Sequence, residues 1–122
     1  GDVTSKDGHL VKNSLVTLDP LPTQSYAFCS DTIYNEAMLP IINKVDVLYH
    51  ESTFLEQDVD KCLRTGHSSA IQAATIAKMA NVKHLILGHY STRYANIDLF
   101  KEEAETVFKS VLLADDGKVF KF

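Results

Sequence analysis

Three apolar, strand-like runs divide this chain, and each is followed at once by a residue that can bind a metal or carry a proton. Asp31 follows residues 25–30, His50 and Glu51 follow residues 45–49, and His89 follows residues 83–88. If helical segments separate the runs, right-handed crossovers make neighbouring strands parallel, and parallel strands end along one edge of a sheet. The sequence therefore predicts an α/β fold with a site at that edge.

Composition narrows the class of protein. The 122 residues, 45% hydrophobic and 23% charged, fit one globular domain with a substantial core. No apolar stretch reaches the ~20 residues of a membrane span, and residues 1–4 do not resemble a signal peptide, so we expect no membrane partner and a cytoplasmic location. A net charge of −4 argues against this chain alone binding a nucleic acid backbone, which requires a clustered basic face. Cys29 and Cys62 do not form a disulfide framework, and we expect reduced thiols.

Local patterns predict the remaining elements. The firmest is an alanine-rich helix from Ala70, preceded by the capping-box pair Ser69 and Gln72. The other predicted elements are a hairpin turning at residues 7–8, an edge strand over 13–18, helices over 35–43, 56–64 and 99–109, and closing strands over 111–114 and 119–120.

Asp31 and His89 are the candidate metal ligands. A carboxylate at one strand end, facing histidines from neighbouring strand ends, suits zinc or a pair of zinc ions. Each residue also has an ordinary structural explanation: Asp31 could cap the following helix, and His89 could be a hydrogen-bonded structural histidine.

Glu51 and His67 are the candidate proton-transfer pair. Adjacent strand residues face opposite sides, so only one of His50 and Glu51 can face the site; we take Glu51 as that residue and His50 as a supporting residue behind it. His67 immediately precedes the alanine-rich helix. The helix N-terminus disfavours a protonated imidazole and a nearby carboxylate favours it, a balance suited to donating a proton near neutral pH. The alternative is a loop histidine that only bonds the backbone.

Ser91 and Arg93 follow His89 closely and are candidates for binding phosphate. A guanidinium beside hydroxyl groups suits phosphate oxygens because it can pair with two of them at once. A solvent-exposed loop arginine is the alternative.

Five short motifs, taken together, resemble the C-terminal half of ribonuclease Z, the metallo-β-lactamase-fold endonuclease that trims the 3′ end of precursor tRNA. They are Ser30-Asp31-Thr32, His50-Glu51-Ser52-Thr53, Gly66-His67-Ser68-Ser69, the stretch Leu87-Gly88-His89-Tyr90-Ser91-x-Arg93-Tyr94, and Ala114-x-Asp116-Gly117. Their order and spacing carry the resemblance over about residues 2–122. Two motifs depart from the family: Ser52 replaces an alanine, and Ser69 replaces a threonine.

The resemblance implies a role for each candidate residue. Asp31 would bridge two zinc ions and His89 would bind one of them. Glu51 and His67 would pass a proton to the leaving ribose oxygen after metal-activated water attacks the phosphodiester, leaving a 3′-hydroxyl tRNA. Ser91 and Arg93 would lie near substrate phosphate.

The resemblance also implies that residues 1–122 are one partial domain. The expected architecture is one mixed sheet with helices packed on one face, half of an αββα sandwich. The family's His-x-His-x-Asp-His motif, a further metal histidine, the Pro-x-Lys-x-Arg-Asn loop and the tRNA-binding arm have no counterpart here. We therefore expect this segment to be inactive alone, and the full-length form to be a homodimer acting on precursor tRNA. The alternatives are another metallo-β-lactamase-fold hydrolase and a non-catalytic binding or dimerisation module.

Overall fold

The N-terminal segment forms a small unit outside the main sheet. Strands β1 (Val3–Thr4) and β2 (Leu10–Val11) pair antiparallel, which confirms the predicted hairpin. The edge strand predicted over 13–18 is wrong, because Asn13–Val16 form a single helical turn, α1. No strand pairs with this segment, and Leu15 and Leu18 are exposed to solvent, so the segment has no buried sheet face.

A four-stranded parallel sheet organises the rest of the chain, which the computed structural model describes over residues 1–122. The strands lie side by side in chain order: β3 (Tyr26–Cys29), β4 (Val47–Glu51), β5 (His84–Gly88) and β6 (Val111–Leu113). The fold is α/β, as predicted, but every pair in this sheet is parallel, so the expected mixed sheet is corrected. Each connection contains a helix, which returns the chain to the same edge before the next strand begins.

The helices pack on one face of the sheet and enclose the core. They are α2 (Leu39–Ile42), α3 (Asp60–Thr65), α4 (Ala70–Met79) and α5 (Asp98–Glu105), with single 3-10 turns at Glu36–Met38 and Glu56–Asp58. The predicted capping box at α4 is present, because Ser69 and Gln72 exchange side-chain to backbone hydrogen bonds. Small buried alanines let α4 lie close to Leu48 and Leu85 of the sheet.

The opposite sheet face is apolar and carries no helix. Tyr26 and Phe28 are 60% and 64% exposed on this side. The predicted strand over 119–120 is wrong, because the chain end lies across this face instead of pairing with β6. There the Phe122 ring lies 5.1 Å from the His84 ring, and the Phe122 carbonyl accepts a hydrogen bond from Gln24.

The strand register sets the positions of the candidate residues. Cys29 lies opposite His50, and Glu51 lies opposite Gly88, so the carboxyl ends of three strands are level. Asp31 and His89 follow those ends directly. Cys29 and Cys62 are both free thiols. None of the helices has the length and apolar character needed to cross a bilayer.

Candidate functional site

Four side chains meet at the carboxyl edge of the sheet. One potential ligand atom from each of Asp31, Glu51, His67 and His89 lies within 4.8 Å of the others. Three of them come from the ends of β3, β4 and β5, and His67 comes from the loop before α4. That loop is held against the segment after β4, because Phe54 and Ser68 share a backbone hydrogen bond and the Phe54 carbonyl accepts from Ala70.

Glu51 is the anchor of this cluster. Its side chain is fully buried and accepts five hydrogen bonds, which come from three separate motifs. The donors to Oε1 are the Thr32 amide at 3.0 Å and His67 Nδ1 at 2.7 Å; the donors to Oε2 are the Thr53 amide at 3.2 Å, the Thr53 hydroxyl at 2.7 Å and the Ser68 amide at 3.1 Å. One buried carboxylate therefore fixes three loops relative to each other.

The environment keeps Glu51 ionised. Burial by itself raises the pKa of Glu51, but the hydrogen bonds from Thr53, His67 and Ser68 outweigh it and leave the pKa below its ordinary value. A carboxylate can only accept, so the proton between Glu51 and His67 belongs to His67 Nδ1. With both Glu51 oxygens occupied, Glu51 orients His67 and leaves the second ring nitrogen of His67 available for chemistry.

His89 is held between a hydroxyl and a carboxylate. Its Nδ1 lies 2.9 Å from the Thr53 hydroxyl, which also bonds Glu51, and its Nε2 lies 3.2 Å from Oδ1 of Asp31. The rings of His67 and His89 are 5.1 Å apart between centroids. Thr53 thus connects the buried anchor to the exposed half of the cluster.

The backbone is strained at the two candidate metal ligands. Asp31 and His89 have φ values of +49° and +60°, in the left-handed region that few residues other than glycine adopt. Such a conformation costs of order 1 kcal/mol or more at each residue and persists only where the surrounding structure enforces it. Near His89, the Tyr90 hydroxyl donates to the Leu87 carbonyl and the Ser91 amide to the Thr53 carbonyl.

Asp31 and His89 fit a zinc ion in both chemistry and spacing. Zinc bonds of ~2.1 Å to nitrogen and oxygen, at the tetrahedral angle, separate the two ligand atoms by ~3.4 Å. The separation here is 3.2 Å, and the site is open, with the Asp31 side chain 74% exposed. No lysine or arginine pairs with Asp31 or Glu51; the side chains at ion-pair distance from them are histidines. Because a catalytic zinc usually takes three protein ligands, these two residues alone would not complete such a centre.

Ser91 and Arg93 lie beside the cluster and are not among its four members. The Ser91 hydroxyl accepts a 3.4 Å hydrogen bond from the Arg93 amide. The Arg93 guanidinium lies 5.3 Å from the Phe54 ring centre and 3.6 Å from a carboxylate oxygen of Asp58. The Phe54 ring in turn meets His67 edge-on at 6.4 Å. Arg93 is thus placed on the His67 side, with its charge already partly paired.

His50 lies behind the site, on the helix-covered face of the sheet. It is fully buried, its Nδ1 donates to the Glu51 carbonyl at 2.8 Å, and its Nε2 has no partner. Burial lowers the pKa of His50, so this ring is neutral in the folded protein. His50 forms a hydrogen bond with the Glu51 backbone and with none of the four cluster side chains. Its supporting role stays a prediction.

Ser52 and Gly88 are neighbours across β4 and β5. Ser52 is buried, and its hydroxyl donates to the Gly88 carbonyl at 3.2 Å, which satisfies the group added where the family has alanine. The Tyr49 ring fills the space beside Gly88, since a Cβ at Gly88 would approach two Tyr49 ring carbons to 2.7 Å.

Sequence reasoning missed three contributors to the cluster: Thr32, Thr53 and Ser68. Thr53 bridges Glu51 and His89, whereas Thr32 and Ser68 each donate a backbone amide to Glu51. The Ser68 hydroxyl also donates to the Thr32 carbonyl at 2.6 Å. All three residues stand inside motifs already quoted, beside the acid, the imidazole and Asp31. Their position next to charged groups was the available signal, although two act through backbone amides that any residue type supplies.

The curated relatives compared with this chain belong to one family. No protein-family model matches the chain. Ribonuclease Z of Porphyromonas gingivalis is 44% identical over 115 residues, which are 94% of this chain and 38% of that protein. This chain is a homologue of part of ribonuclease Z. It spans a little over a third of the length of the curated ribonuclease Z relatives it matches.

Two solved structures show that the fold is that of a metallo-β-lactamase fragment. Human tRNase Z, short form, superposes with a TM-score of 0.60 and 26% identity, over 92% of this chain and 36% of that one. The metallo-β-lactamase fold protein YhfI from Bacillus subtilis superposes with a TM-score of 0.74 and 27% identity, over 80% of this chain and 40% of that one. The ribonuclease Z relatives and these two structures therefore match the chain over a similar share of their length, a little over a third.

Proposed function

We propose that this chain is one part of a zinc-dependent endoribonuclease that removes the 3′ trailer from precursor tRNA in the cytoplasm. The observation that supports it most is the convergence of Asp31, Glu51, His67 and His89, contributed by four motifs, within 4.8 Å. The names of the relatives, ribonuclease Z and tRNase Z, supply the substrate class. Residues 1–122 are in this proposal a partial domain, inactive without the rest of the protein.

Asp31 and His89 are the residues proposed to hold zinc. Asp31 is exposed and has a second carboxylate oxygen, so it could bridge two ions, and His89 presents one ring nitrogen beside it. When bound, the ions would activate water and offset charge on the phosphate. The remaining ligands come from residues outside this chain.

His67 is the proposed proton donor to the leaving group. As the P–O3′ bond breaks, the ribose oxygen takes a proton from the ring nitrogen of His67 that does not face Glu51, giving a 3′-hydroxyl tRNA and a 5′-phosphorylated trailer. Glu51 holds the other nitrogen at 2.7 Å and stabilises the protonated ring. The 23% exposure of the His67 side chain leaves it reachable by substrate.

Ser91 and Arg93 are the proposed contacts to substrate phosphate. Arg93 is 44% exposed and its ion pair with Asp58 is long, so the guanidinium can turn toward a phosphate. The closeness of Phe54 to both Arg93 and His67 supports a phosphate bound next to the proton donor.

The second candidate is another hydrolase of the metallo-β-lactamase fold. The superposition on YhfI, with the higher TM-score, favours it. The intact protein should be assayed against precursor tRNA and against a chromogenic phosphodiester. Site-specific trailer removal supports the first proposal, whereas turnover of the small diester with intact precursor tRNA supports the second.

His67→Ala tests the proton donor. Removal of a general acid typically slows the chemical step ~10²–10⁴-fold, and zinc content should stay near that of the wild type because His67 is bonded to Glu51. His84→Ala, at the other end of β5, is the matched control and should cleave normally. Wild-type cleavage by His67→Ala would remove the proposed role.

A homodimer of the intact protein is the last part of the proposal. It follows from the family resemblance, and light scattering of the intact protein measures it directly. A mass of one protomer would remove the dimer while leaving the cleavage proposal untouched. A purely non-catalytic module is expected to have neither activity nor a paired acid and imidazole. Cleavage of precursor tRNA by the intact protein would therefore also exclude that alternative.

A further inference from the structure

We propose that Thr53 is a positioning residue that fixes the proton of His89 on Nδ1 and so leaves Nε2 as the nitrogen offered to a metal. The proposal rests on the proposed function only in taking His89 as a metal ligand. Its basis is one hydroxyl in contact with two site residues: Thr53 Oγ1 lies 2.7 Å from Glu51 Oε2 and 2.9 Å from His89 Nδ1.

Counting protons decides the direction of both hydrogen bonds. A hydroxyl carries one proton, and a carboxylate oxygen can only accept. The Thr53 proton therefore lies toward Glu51, and the hydroxyl oxygen accepts from His89. His89 Nδ1 carries the proton of that second bond, so in the neutral ring His89 Nε2 carries the lone pair.

The opposite arrangement is unfavourable. If the Thr53 proton pointed to His89, the hydroxyl oxygen and Glu51 Oε2 would face each other as two acceptors 2.7 Å apart. Protonating Glu51 would relieve this, but the same oxygen also accepts from the Thr53 and Ser68 amides, and Oε1 accepts from two further donors. A group that accepts five hydrogen bonds is held in its ionised form.

The direction of the lone pair on His89 Nε2 suits this nitrogen to binding a metal. Nε2 of His89 points at Oδ1 of Asp31, 3.2 Å away. Two atoms with lone pairs at this distance repel each other unless a cation or a proton lies between them. Histidine ligands commonly donate their other ring N–H to a fixed acceptor, which orients the ring and strengthens the metal bond. Here that acceptor is the hydroxyl that also bonds the proton-transfer anchor.

Thr53 is itself held rigidly. Thr53 is only 7% exposed. Its amide donates to Glu51, and its carbonyl accepts from the Ser91 amide. Branching at Cβ further restricts the rotation that sets the hydroxyl position. Thr53 therefore couples two halves of the site, the buried Glu51 and His67 pair and the exposed Asp31 and His89 pair.

The test compares Thr53→Val, which keeps the shape and removes the hydroxyl, with Thr53→Ser, which keeps the hydroxyl. Nitrogen-15 NMR of histidine-labelled, metal-free intact protein identifies the protonated ring nitrogen, with His89→Gln assigning the signals. At a pH where the His89 ring is neutral, we expect its proton on Nδ1 in the wild type and in Thr53→Ser, and loss of that preference in Thr53→Val. Zinc affinity should fall ~10–100-fold in Thr53→Val, the usual effect of removing a partner of a ligand, and recover in Thr53→Ser. Thr17→Val, an exposed site, is the control.

Two results would overturn the proposal. One is a neutral wild-type His89 ring whose single proton is on Nε2, which can be read even if Thr53→Val fails to fold. The other is a folded Thr53→Val with the proton still on Nδ1 and zinc affinity within twofold of the wild type. Because the tautomer is measured without zinc or RNA, failure of precursor tRNA cleavage would be a separate result that bears on the proposed function alone.

Discussion

The two ends of the parallel sheet carry the same kinds of residue in different arrangements. At the carboxyl edge, Glu51 and Asp31 meet His67 and His89. At the amino edge, Asp46 binds Lys83 at 2.8 Å and accepts from the Ser25 amide at 2.7 Å. There too a histidine bonds a hydroxyl, since His84 Nδ1 lies 2.7 Å from the Ser110 side chain.

The two edges of the sheet differ in the side chains that face their acidic residues. The Asp46 charge is compensated by a lysine that is 70% exposed, so the pair needs nothing more. Neither acid of the carboxyl edge has a lysine or arginine within ion-pair distance, and each faces an imidazole instead. An acid without a fixed cation can take up a metal or steady a protonated ring. Residue type alone therefore does not distinguish the two edges; the missing counter-charge at the carboxyl edge does.

Exchanging the aspartates for alanine is the strongest test of this contrast. In the intact protein, Asp31→Ala should lose zinc and slow cleavage by ~10³-fold or more, because several kcal/mol of charge stabilisation by the metal disappear. Asp46→Ala should keep its zinc and its activity. Metal analysis by mass spectrometry and single-turnover cleavage measure both. If Asp46→Ala lost zinc equally, the contrast between the two edges would be invalid.

Much of the site followed from the strand pattern. Three apolar runs with intervening helices place their ends on one edge, and this pattern alone brings Asp31, Glu51 and His89 together. The two-residue period of a strand also separated His50 from Glu51, since His50 shares the side of buried Leu48.

What the sequence did not predict depends on tertiary contacts. The left-handed backbone at Asp31 and His89 has no residue-specific signature, because only the surrounding chain enforces it. The donors to Glu51 include backbone amides, which every residue carries. The strands wrongly predicted over 13–18 and 119–120 contain apolar residues, but neither segment pairs with another strand.

Glu51→Gln should destabilise the fold by ~3 kcal/mol or more. The amide group of glutamine would face at least two hydrogen-bond donors, because Glu51 Oε1 accepts two hydrogen bonds and Oε2 accepts three. Each buried donor left unpaired costs about 1–3 kcal/mol. Asp46→Asn, the matched change at the amino edge, should lower the free energy of unfolding by less because its partners stay solvated. Urea denaturation of the intact protein at neutral pH measures both. Equal losses would show that burial of the acid does not distinguish the edges.

Gly88→Ala and His84→Ala compare the two ends of a single strand. The added methyl group would overlap the Tyr49 ring, which stacks on Phe28 at 4.6 Å between centroids, so we expect a loss of about 1–3 kcal/mol from overpacking. His84→Ala removes one partly exposed hydrogen bond, worth about 1 kcal/mol. Combining Gly88→Ala with Tyr49→Ala should abolish most of the added cost of the methyl group. If Gly88→Ala destabilised the Tyr49→Ala variant as much as the wild type, the added methyl group would overlap a group other than Tyr49.

The pH dependence of the amino edge gives the smallest expected effect. Lys83, followed by the Ser25 amide and hydroxyl, lowers the pKa of Asp46 to about 2, below the ~3.9 of an unfolded chain. A lowered pKa contributes stability above the unfolded value and loses it as pH falls through the folded value. Between about pH 4 and 2 the wild type should therefore lose stability more steeply than Asp46→Asn. Other acids with lowered pKa values, Glu51 included, act in both proteins, so the difference between urea midpoints isolates Asp46. Parallel curves would mean that Lys83 does not compensate this acid, and the amino edge would then hold an unpaired charge like its counterpart.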